Sequence, residues 1–361
     1  MKALFQMALA LLLALVARIS LGSELTMEQF KAERDFASIS KAEGWTFEYD
    51  VTQIGRHEKG YFPPEGPVKV VAIPSAGPMK SFDLSQFGKP LTRVLNQGSC
   101  GSCVVFSIIA NFMDALRLRG MDIPDLSPQH LMNCGTGGQC RGAYGEGIAE
   151  DLVGLKNLYA ESAYPYTASS GSCKSKQAPR FGQIESYKTI DGSVRSILAA
   201  LHNGQPVSVG IAADSRFSSY KSGVYNGCSS MSTNHYVVVQ GVDCGTSVDV
   251  DGNCVFDERG NLPNGVGTFN VRNSWGNWGD AGYIKMLITN SSGKRCNNVA
   301  GGNGNAQILE IGIPMPDEKP KTFKIETDDV ILDATVLPGA KFTVDQAKAA
   351  LGAAMQAAED K

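Results

Sequence analysis

Gln97-Gly98-Ser99-Cys100-Gly101-Ser102-Cys103-Val104-Val105-Phe106 is the stretch that decides how this chain is read. Ahead of Cys103 the residues are small and glycine-bearing, as turns require. Behind it Val104, Val105, Ile108, Ile109, Phe112 and Leu116 return every three or four residues, the pattern of an apolar helix. Cys103 therefore opens a helix. Aligned peptide dipoles leave partial positive charge at that end, which favours a thiolate over a thiol. A thiolate is the form that attacks a carbonyl carbon. Two other readings of the spaced cysteines are weaker. A zinc knuckle needs a second pair, or histidines at matching spacing; Cys134 and Cys140 stand too far apart, and the chain has 4 histidines. A redox pair normally follows a strand, and no strand pattern precedes Cys100.

A cysteine nucleophile needs a base, a group that orients the base, and donors for the oxyanion. His235 stands in Thr233-Asn234-His235-Tyr236, just ahead of the apolar run 237–239, so a buried strand would hold it in place. Asn273 stands in Val271-Arg272-Asn273-Ser274-Trp275-Gly276, where its side-chain carbonyl can accept the imidazole proton and Trp275 can shield that bond. Gln97 can give its amide to the oxyanion beside the Cys103 N–H. The remaining histidines, His57, His130 and His202, read as ordinary surface or packing residues.

On these residues the chain resembles the papain and cathepsin family of cysteine peptidases, whose histidine and asparagine follow the cysteine by roughly 130–150 residues. The histidine spacing fits. The asparagine lies farther on, so an insertion is expected at 243–266. Leu126-Ser127-Pro128-Gln129-His130-Leu131-Met132-Asn133-Cys134, Tyr164-Pro165-Tyr166, Gln205-Pro206-Val207-Ser208-Val209 and Ser222-Gly223-Val224-Tyr225 resemble family segments in the same order. The similarity covers about 82–313.

The resemblance implies an α+β fold of two lobes, the first mainly helical (about 81–195), the second an antiparallel β-barrel-like lobe (about 196–313), with the cleft between them. It agrees with the periodicity, which puts helices at 148–158 and 194–202 before strands at 207–211, 236–242, 267–272 and 282–288. It implies a substrate cleft lined by Gly101, Ser102, Gly142, Ala143, Gly210, Asn234, Tyr236 and Trp275, and disulfides Cys100 to Cys140, Cys134 to Cys173 and Cys228 to Cys296. Cys244 and Cys254 remain, both inside the insertion, and are expected to pair locally. Of 9 cysteines that leaves Cys103 as the odd thiol. The implied activity is peptide hydrolysis by a monomer on protein or peptide substrates, with no metal or organic cofactor. A non-catalytic binding module of the same fold, or a transpeptidase using the same acyl-enzyme, would carry the same framework. Four departures touch substrate preference: Val104 in place of an aromatic residue, Tyr236 in place of a small one, which is expected to narrow the second substrate subsite, Ala143 in place of glycine, and Trp278-Gly279 arriving one residue early.

The bulk composition is consistent with this. Hydrophobic residues make up 43% and charged residues 19%, and the net charge is −3, so nothing draws the chain to nucleic acid or to an anionic membrane. Residues 1–23 read as a signal peptide: Lys2, an apolar run from Ala3 to Val16, and the small residues Ser20 and Gly22. Export to an extracellular, periplasmic or lysosome- or vacuole-like compartment follows, without stable membrane insertion. Residues 24–80 carry no cysteine, open with a capping box at Thr26 and Gln29, and close with Pro63, Pro64, Pro67, Pro74 and Pro78. They read as a pro-region that occupies the cleft as an intramolecular inhibitor. Residues 314–361 read as a linker and extension, with short strands in 325–336 and a helix over 343–359. Asp249-Val250-Asp251-Gly252-Asn253 has the residues of a calcium loop but a misplaced glycine, so a disulfide-closed turn is expected there. Asn290-Ser291-Ser292 is a glycosylation sequon.

Overall fold

The computed structural model describes residues 25–336 except 65–67, 74, 76, 89–90, 138, 264, 291, 301–305, 312–320 and 327–330; beyond residue 320 it describes only the backbone pairing of two strands. The expected signal peptide and the helix at 343–359 lie outside the described residues.

The chain begins with α1 (Met27–Glu43). The Gln29 N–H donates to Thr26 Oγ1 at 3.2 Å, and the Thr26 N–H donates to Gln29 Oε1 at 2.9 Å, so the capping box is complete. Gly44, at φ +61°, closes the helix. Ala32 and Phe36 pack on Val51 and Ile54 to form a small separate core. Trp45 stacks on Phe47 at 4.7 Å, and Phe47 meets Tyr225 at 4.6 Å. Strand β1 (Phe47–Tyr49) thereby pairs antiparallel with β7 (Tyr220–Tyr225). The segment ahead of the family-like region thus adds an edge strand to the main sheet.

The helical side is built from α2 (Cys103–Leu118), α3 (Pro128–Cys134) and α4 (Gly145–Leu155). Every residue of α2 except Arg117 is buried, because this helix lies between the other helices and the sheet. Ser127 caps α3, accepting from the His130 N–H at 3.0 Å, with Pro128 pre-set for the first turn. Helix α4 starts and stops earlier than its apolar pattern suggests. Lys156 takes φ +65°, which ends it, and the chain goes extended at β3 (Leu158–Tyr159), paired with β4 (Arg180–Phe181).

The sheet runs β1-β7-β10-β9-β8-β6-β11-β5, with β2 (Phe82–Asp83) against β8. Here β5 is Ser186–Thr189, β6 Val207–Ile211, β8 His235–Asp243, β9 Thr268–Arg272, β10 Tyr283–Leu287 and β11 Ala306–Glu310. The path is open from β1 to β5, so the β side is not a closed barrel. It takes β5 from ahead of residue 196. Helix α5 (Val194–His202) covers it, and a four-residue α6 (Ser215–Ser218) precedes β7. Farther on, β12 (Lys321–Glu326) and β13 (Ile331–Val336) pair antiparallel.

Two large apolar clusters result, one under the sheet and α5, the other around α2 to α4. A buried polar network joins the two halves. Arg272 Nη1 on β9 donates to Asp114 Oδ2 on α2 and to Thr92 Oγ1, both at 2.8 Å, and Gln240 Nε2 adds 2.6 Å to the same carboxylate. The strand that leads to Asn273 is therefore tied to the helix that begins with Cys103. No described helix is long and apolar enough to cross a membrane.

Candidate active site

Cys103 is fully buried and is the one cysteine without a disulfide. The other eight form Cys100–Cys140, Cys134–Cys173, Cys228–Cys296 and Cys244–Cys254. The N–H groups of Gly60, Tyr236, Val104 and Cys103 itself face the sulfur and favour its charged form. Burial opposes them more strongly and pushes the thiol up to about 11. The helix end alone predicts a thiolate; in this structure desolvation wins.

His235 opens β8, opposite Ile211 of β6. Its Nε2 bonds Asn273 Oδ1 at 2.8 Å, which leaves Nδ1 buried without a partner. Asn273 Oδ1 also accepts the Ser274 N–H at 2.8 Å, so the acceptor is held from two sides. Trp275 covers the imidazole at 4.7 Å. Burial lowers His235 to about 3, against the raising effect of Asn273 and with a smaller lowering from Lys59 and His57.

Gln97 is buried, and Ser274 Oγ donates to its Oε1 at 2.6 Å, so its amide group is turned the other way. That Nε2 donates to the carbonyl of Glu58 at 2.8 Å and of Cys100 at 3.0 Å. Glu58 belongs to a strap, residues 57–62, that lies across the helix end. The Ala143 N–H donates to Gly60 O at 2.8 Å, Phe62 N–H donates to Ala143 O at 3.0 Å, and Tyr61 N–H donates to Asn234 O at 3.1 Å. At Gly60 the approach leaves no space for a side chain, since a Cβ would stand 1.9 Å from Gly101 O. His57 lies flat on Trp275, with 5.0 Å between rings and 7° between planes.

Seven of the eight expected cleft residues thus meet the strap. Gly101, Ala143, Asn234 and Trp275 do so as described. Gly142, at φ +100°, lies under Phe62, and Gly210 and Tyr236 enclose Tyr61. Ser102 differs: its hydroxyl bonds Tyr166 OH at 2.9 Å and steadies the loop from behind. Sequence reasoning missed Glu58, Gly60 and Tyr61; His57, read as an ordinary surface or packing residue, packs on Trp275. The available signal was one glycine in Lys59-Gly60-Tyr61-Phe62, between charge and aromatics, just before the prolines. His130 and His202 are packing residues, against Tyr159 and Phe82. Asp249 Oδ1 accepts the N–H groups of Asp251 and Asn253 at 2.9 and 2.8 Å, closing a turn next to the Cys244–Cys254 bridge. Among the described residues no group of three or more His, Cys, Asp or Glu is arranged to hold a metal ion.

Known proteins resemble this chain in sequence and in fold. The profile of the family described as "Papain family cysteine protease" matches residues 78–301. Zingipain-1 of Zingiber officinale is 32% identical over 206 residues, 56% of this chain and 85% of that protein. Among solved structures, a recombinant stem bromelain precursor superposes with a TM-score of 0.61 over 79% of this chain and 90% of that one, at 24% identity, a likeness of fold. Bromelain of Ananas comosus in complex with the E64 inhibitor superposes with a TM-score of 0.51 at 30% identity, over 64% and 99%.

Proposed function

The chain belongs to the papain family of cysteine proteases, and from that premise we propose that it is an exported cysteine peptidase held inactive by its own residues 24–80. The observation that carries the reading is the grip of the Gln97 amide on a strap carbonyl at the head of the helix begun by the unpaired Cys103. A substrate carbonyl in that place would have its oxygen on Gln97 Nε2.

With the strap in place, thiol and imidazole are both neutral near pH 7, since burial holds the first at about 11 and the second at about 3. Removing the strap readmits water, lowers the thiol and raises the imidazole, so the proton can pass from Sγ to His235 Nδ1. The sulfur attacks the peptide carbon, and the oxyanion is held by Gln97 Nε2 and the Cys103 N–H. His235 returns the proton to the leaving amine as the C–N bond breaks. The imidazole then takes a proton from water, the hydroxide displaces the sulfur, and the acid product leaves. Asn273 keeps Nε2 engaged throughout, so Nδ1 stays the working atom. No cofactor enters these steps.

On this reading residues 1–23 are a leader, 81–313 the peptidase and 314–361 an extension, and the protein works as a monomer on proteins or peptides. Four disulfides suit the oxidising compartment that export reaches. The test compares the full chain with Cys103→Ala at mildly acidic and neutral pH under mild reductant, reading self-processing and cleavage of a peptide library by mass spectrometry. Processing and cleavage by the wild type alone are expected. An added amine separates hydrolysis from transpeptidation by product mass. If both proteins are inert and a thiol reagent leaves Cys103 unlabelled after the strap is cut, the binding-module reading replaces this one.

A further inference from the structure

Tyr166 takes no part in the bond-breaking steps, yet its hydroxyl meets both ends of the loop that carries the oxyanion donors. It donates to the Gln97 carbonyl at 2.9 Å. With that one phenol proton used, the Ser102 hydroxyl is the donor to Tyr166 OH, also at 2.9 Å. Burial raises the phenol above its ordinary range, so the proton stays in place. Gln97 and Ser102 stand at the two ends of a loop that turns at Gly98, φ +59°. Gln97 presents its Nε2, and Ser102 directly precedes the Cys103 N–H. Within the loop the Cys100 N–H reaches Gln97 O at 3.4 Å, so the Tyr166 bond to that carbonyl is the shorter one.

Tyr166 is itself a fixed post. Its N–H donates to Glu161 Oε1 at 2.8 Å. The N–H and hydroxyl of Thr167 both donate to Gln129 Oε1 on α3, at 2.9 and 3.0 Å. The Tyr166 ring meets Phe106 of α2 edge-on, with 4.7 Å between centres and 78° between planes. Ser102 stands where a serine usually accepts an N–H of the first helical turn, and it makes no such bond. Its hydroxyl is turned to Tyr166 instead, and the N–H groups of Cys103 and Val104 face the sulfur. At the other end Ser274 fixes Gln97 twice, through its Oγ to Oε1 at 2.6 Å and through its carbonyl to the Gln97 N–H at 2.9 Å. Tyr166 supplies the tie that joins the Gln97 backbone to the head of the helix.

We infer that Tyr166 is a positioning residue: by bridging Gln97 O and Ser102 Oγ it sets the spacing between the two groups that hold the oxyanion, the Gln97 amide and the Cys103 N–H. The inference rests on the peptidase reading above. Oxyanion donors act through geometry that is fixed before the reaction, and a displacement of about 1 Å costs on the order of 10²-fold in rate. Tyr166→Phe keeps the ring on Phe106 and removes only the bridge, so part of that factor should be lost.

The test is a double-mutant cycle on full chains activated alike under reductant: wild type, Tyr166→Phe, Gln97→Ala and the double variant. Rates are taken per titrated Cys103, so a misfolded fraction does not count. Tyr166→Phe should lower kcat for peptide cleavage about tenfold and leave KM within about twofold. Alkylation of Cys103 by iodoacetamide develops no oxyanion and should stay within about twofold of wild type. On Gln97→Ala, where the amide is already gone, Tyr166→Phe should cost less than about threefold. Ser102→Ala removes one of the two bridging bonds; it should lose about threefold alone and nothing further on Gln97→Ala. An unchanged kcat in Tyr166→Phe, a loss that simply adds to that of Gln97→Ala, or alkylation that falls in parallel with kcat would overturn the inference. If activated chains are alkylated at Cys103 but none cuts a peptide, the peptidase reading falls instead. Acylation of Cys103 by a p-nitrophenyl ester then decides the bridge: the sulfur bonds the ester carbon, nitrophenolate leaves, and the added acyl mass gives the rate. The same roughly tenfold, non-additive loss is expected there, and equal acylation rates would overturn the inference.

Discussion

Replacing Gly60 with alanine should open the cleft of the full chain without unfolding it. The new Cβ would lie 1.9 Å from Gly101 O and 2.5 Å from Gly101 C, where packed carbon contacts need about 3.5 Å. Gly101 cannot easily give way, because its N–H is bonded to Cys140 O at 3.1 Å beside the Cys100–Cys140 bridge. The strap must retreat instead, by roughly 1.5 Å on that spacing. Its four backbone anchors, to Gln97, twice to Ala143 and to Asn234, then lengthen together. At a net 0.5–1.5 kcal/mol each, with part of the bonding retained, the loss is about 2–4 kcal/mol. That multiplies the open population by roughly 30 to 1000. The assay is the rate at which iodoacetamide alkylates Cys103 in the intact chain, read by mass spectrometry, which also reports any self-processing. Gly60→Ala should react at least about 30-fold faster than wild type. Gly77→Ala, where a Cβ meets nothing within 4 Å, should react like wild type. Equal rates for wild type and Gly60→Ala, at equal melting temperature, would refute the argument that the strap seals the thiol.

Three further outcomes follow from the same geometry. Gln97→Ala removes one oxyanion donor and should lower kcat by about 10²–10³ with little change in KM, measured per titrated active site. His57 makes strap docking sensitive to acid. Burial against Trp275 holds its ring below the usual 6.5, so docking favours the neutral form; that contribution is complete above about pH 6.5 and is lost as the pH falls. The neighbouring Arg56 and Lys59 charges act in the same direction, the Gly98 backbone opposes them, and His235, held at about 3, adds to the loss. His57→Phe keeps the stack without the titration. Its alkylation rate relative to wild type, which cancels the thiol's own titration, should therefore fall progressively below one from about pH 7 to about pH 4; a flat ratio rejects the switch. Asp114→Asn leaves the Arg272 guanidinium buried without its counter-charge, and urea unfolding should show a loss of about 3–5 kcal/mol.

Much of this protein was legible along the chain because the relevant physics is local. The capping residues Thr26 and Gln29 and the apolar stripe behind Cys103 each act within a turn or two. Helix α5 and strand β6 fall where their patterns put them, and β8, β9 and β10 match within a residue. Where the expectation slipped, a non-local or backbone term won. Helix α4 ends early at Lys156 because the chain turns out of the helix at a positive φ, although the apolar residues continue to Leu158. Residues 186–189 join the far sheet because β11 offers them a free edge. Asp249 and Asp257 have the residues of a cation loop, yet their carboxylates are engaged by the N–H groups of their own turns.

By itself the sequence determined which residues can do chemistry: a lone thiol at a helix start, a histidine heading a buried strand, an asparagine before Ser-Trp-Gly, and a glutamine just ahead of the nucleophile. Those assignments rest on residue type, and residue type is written in the chain. Only the tertiary structure decided the state of that chemistry. The strap that buries Cys103 is held by backbone carbonyls and N–H groups, which every residue has and no side-chain pattern advertises. The pocket around Tyr61 depends on two glycines, Gly145 and Gly210, that are far apart in the chain, and on the side chain that each one lacks. Burial, which sets the thiol near 11 and the imidazole near 3, is a property of everything packed around them.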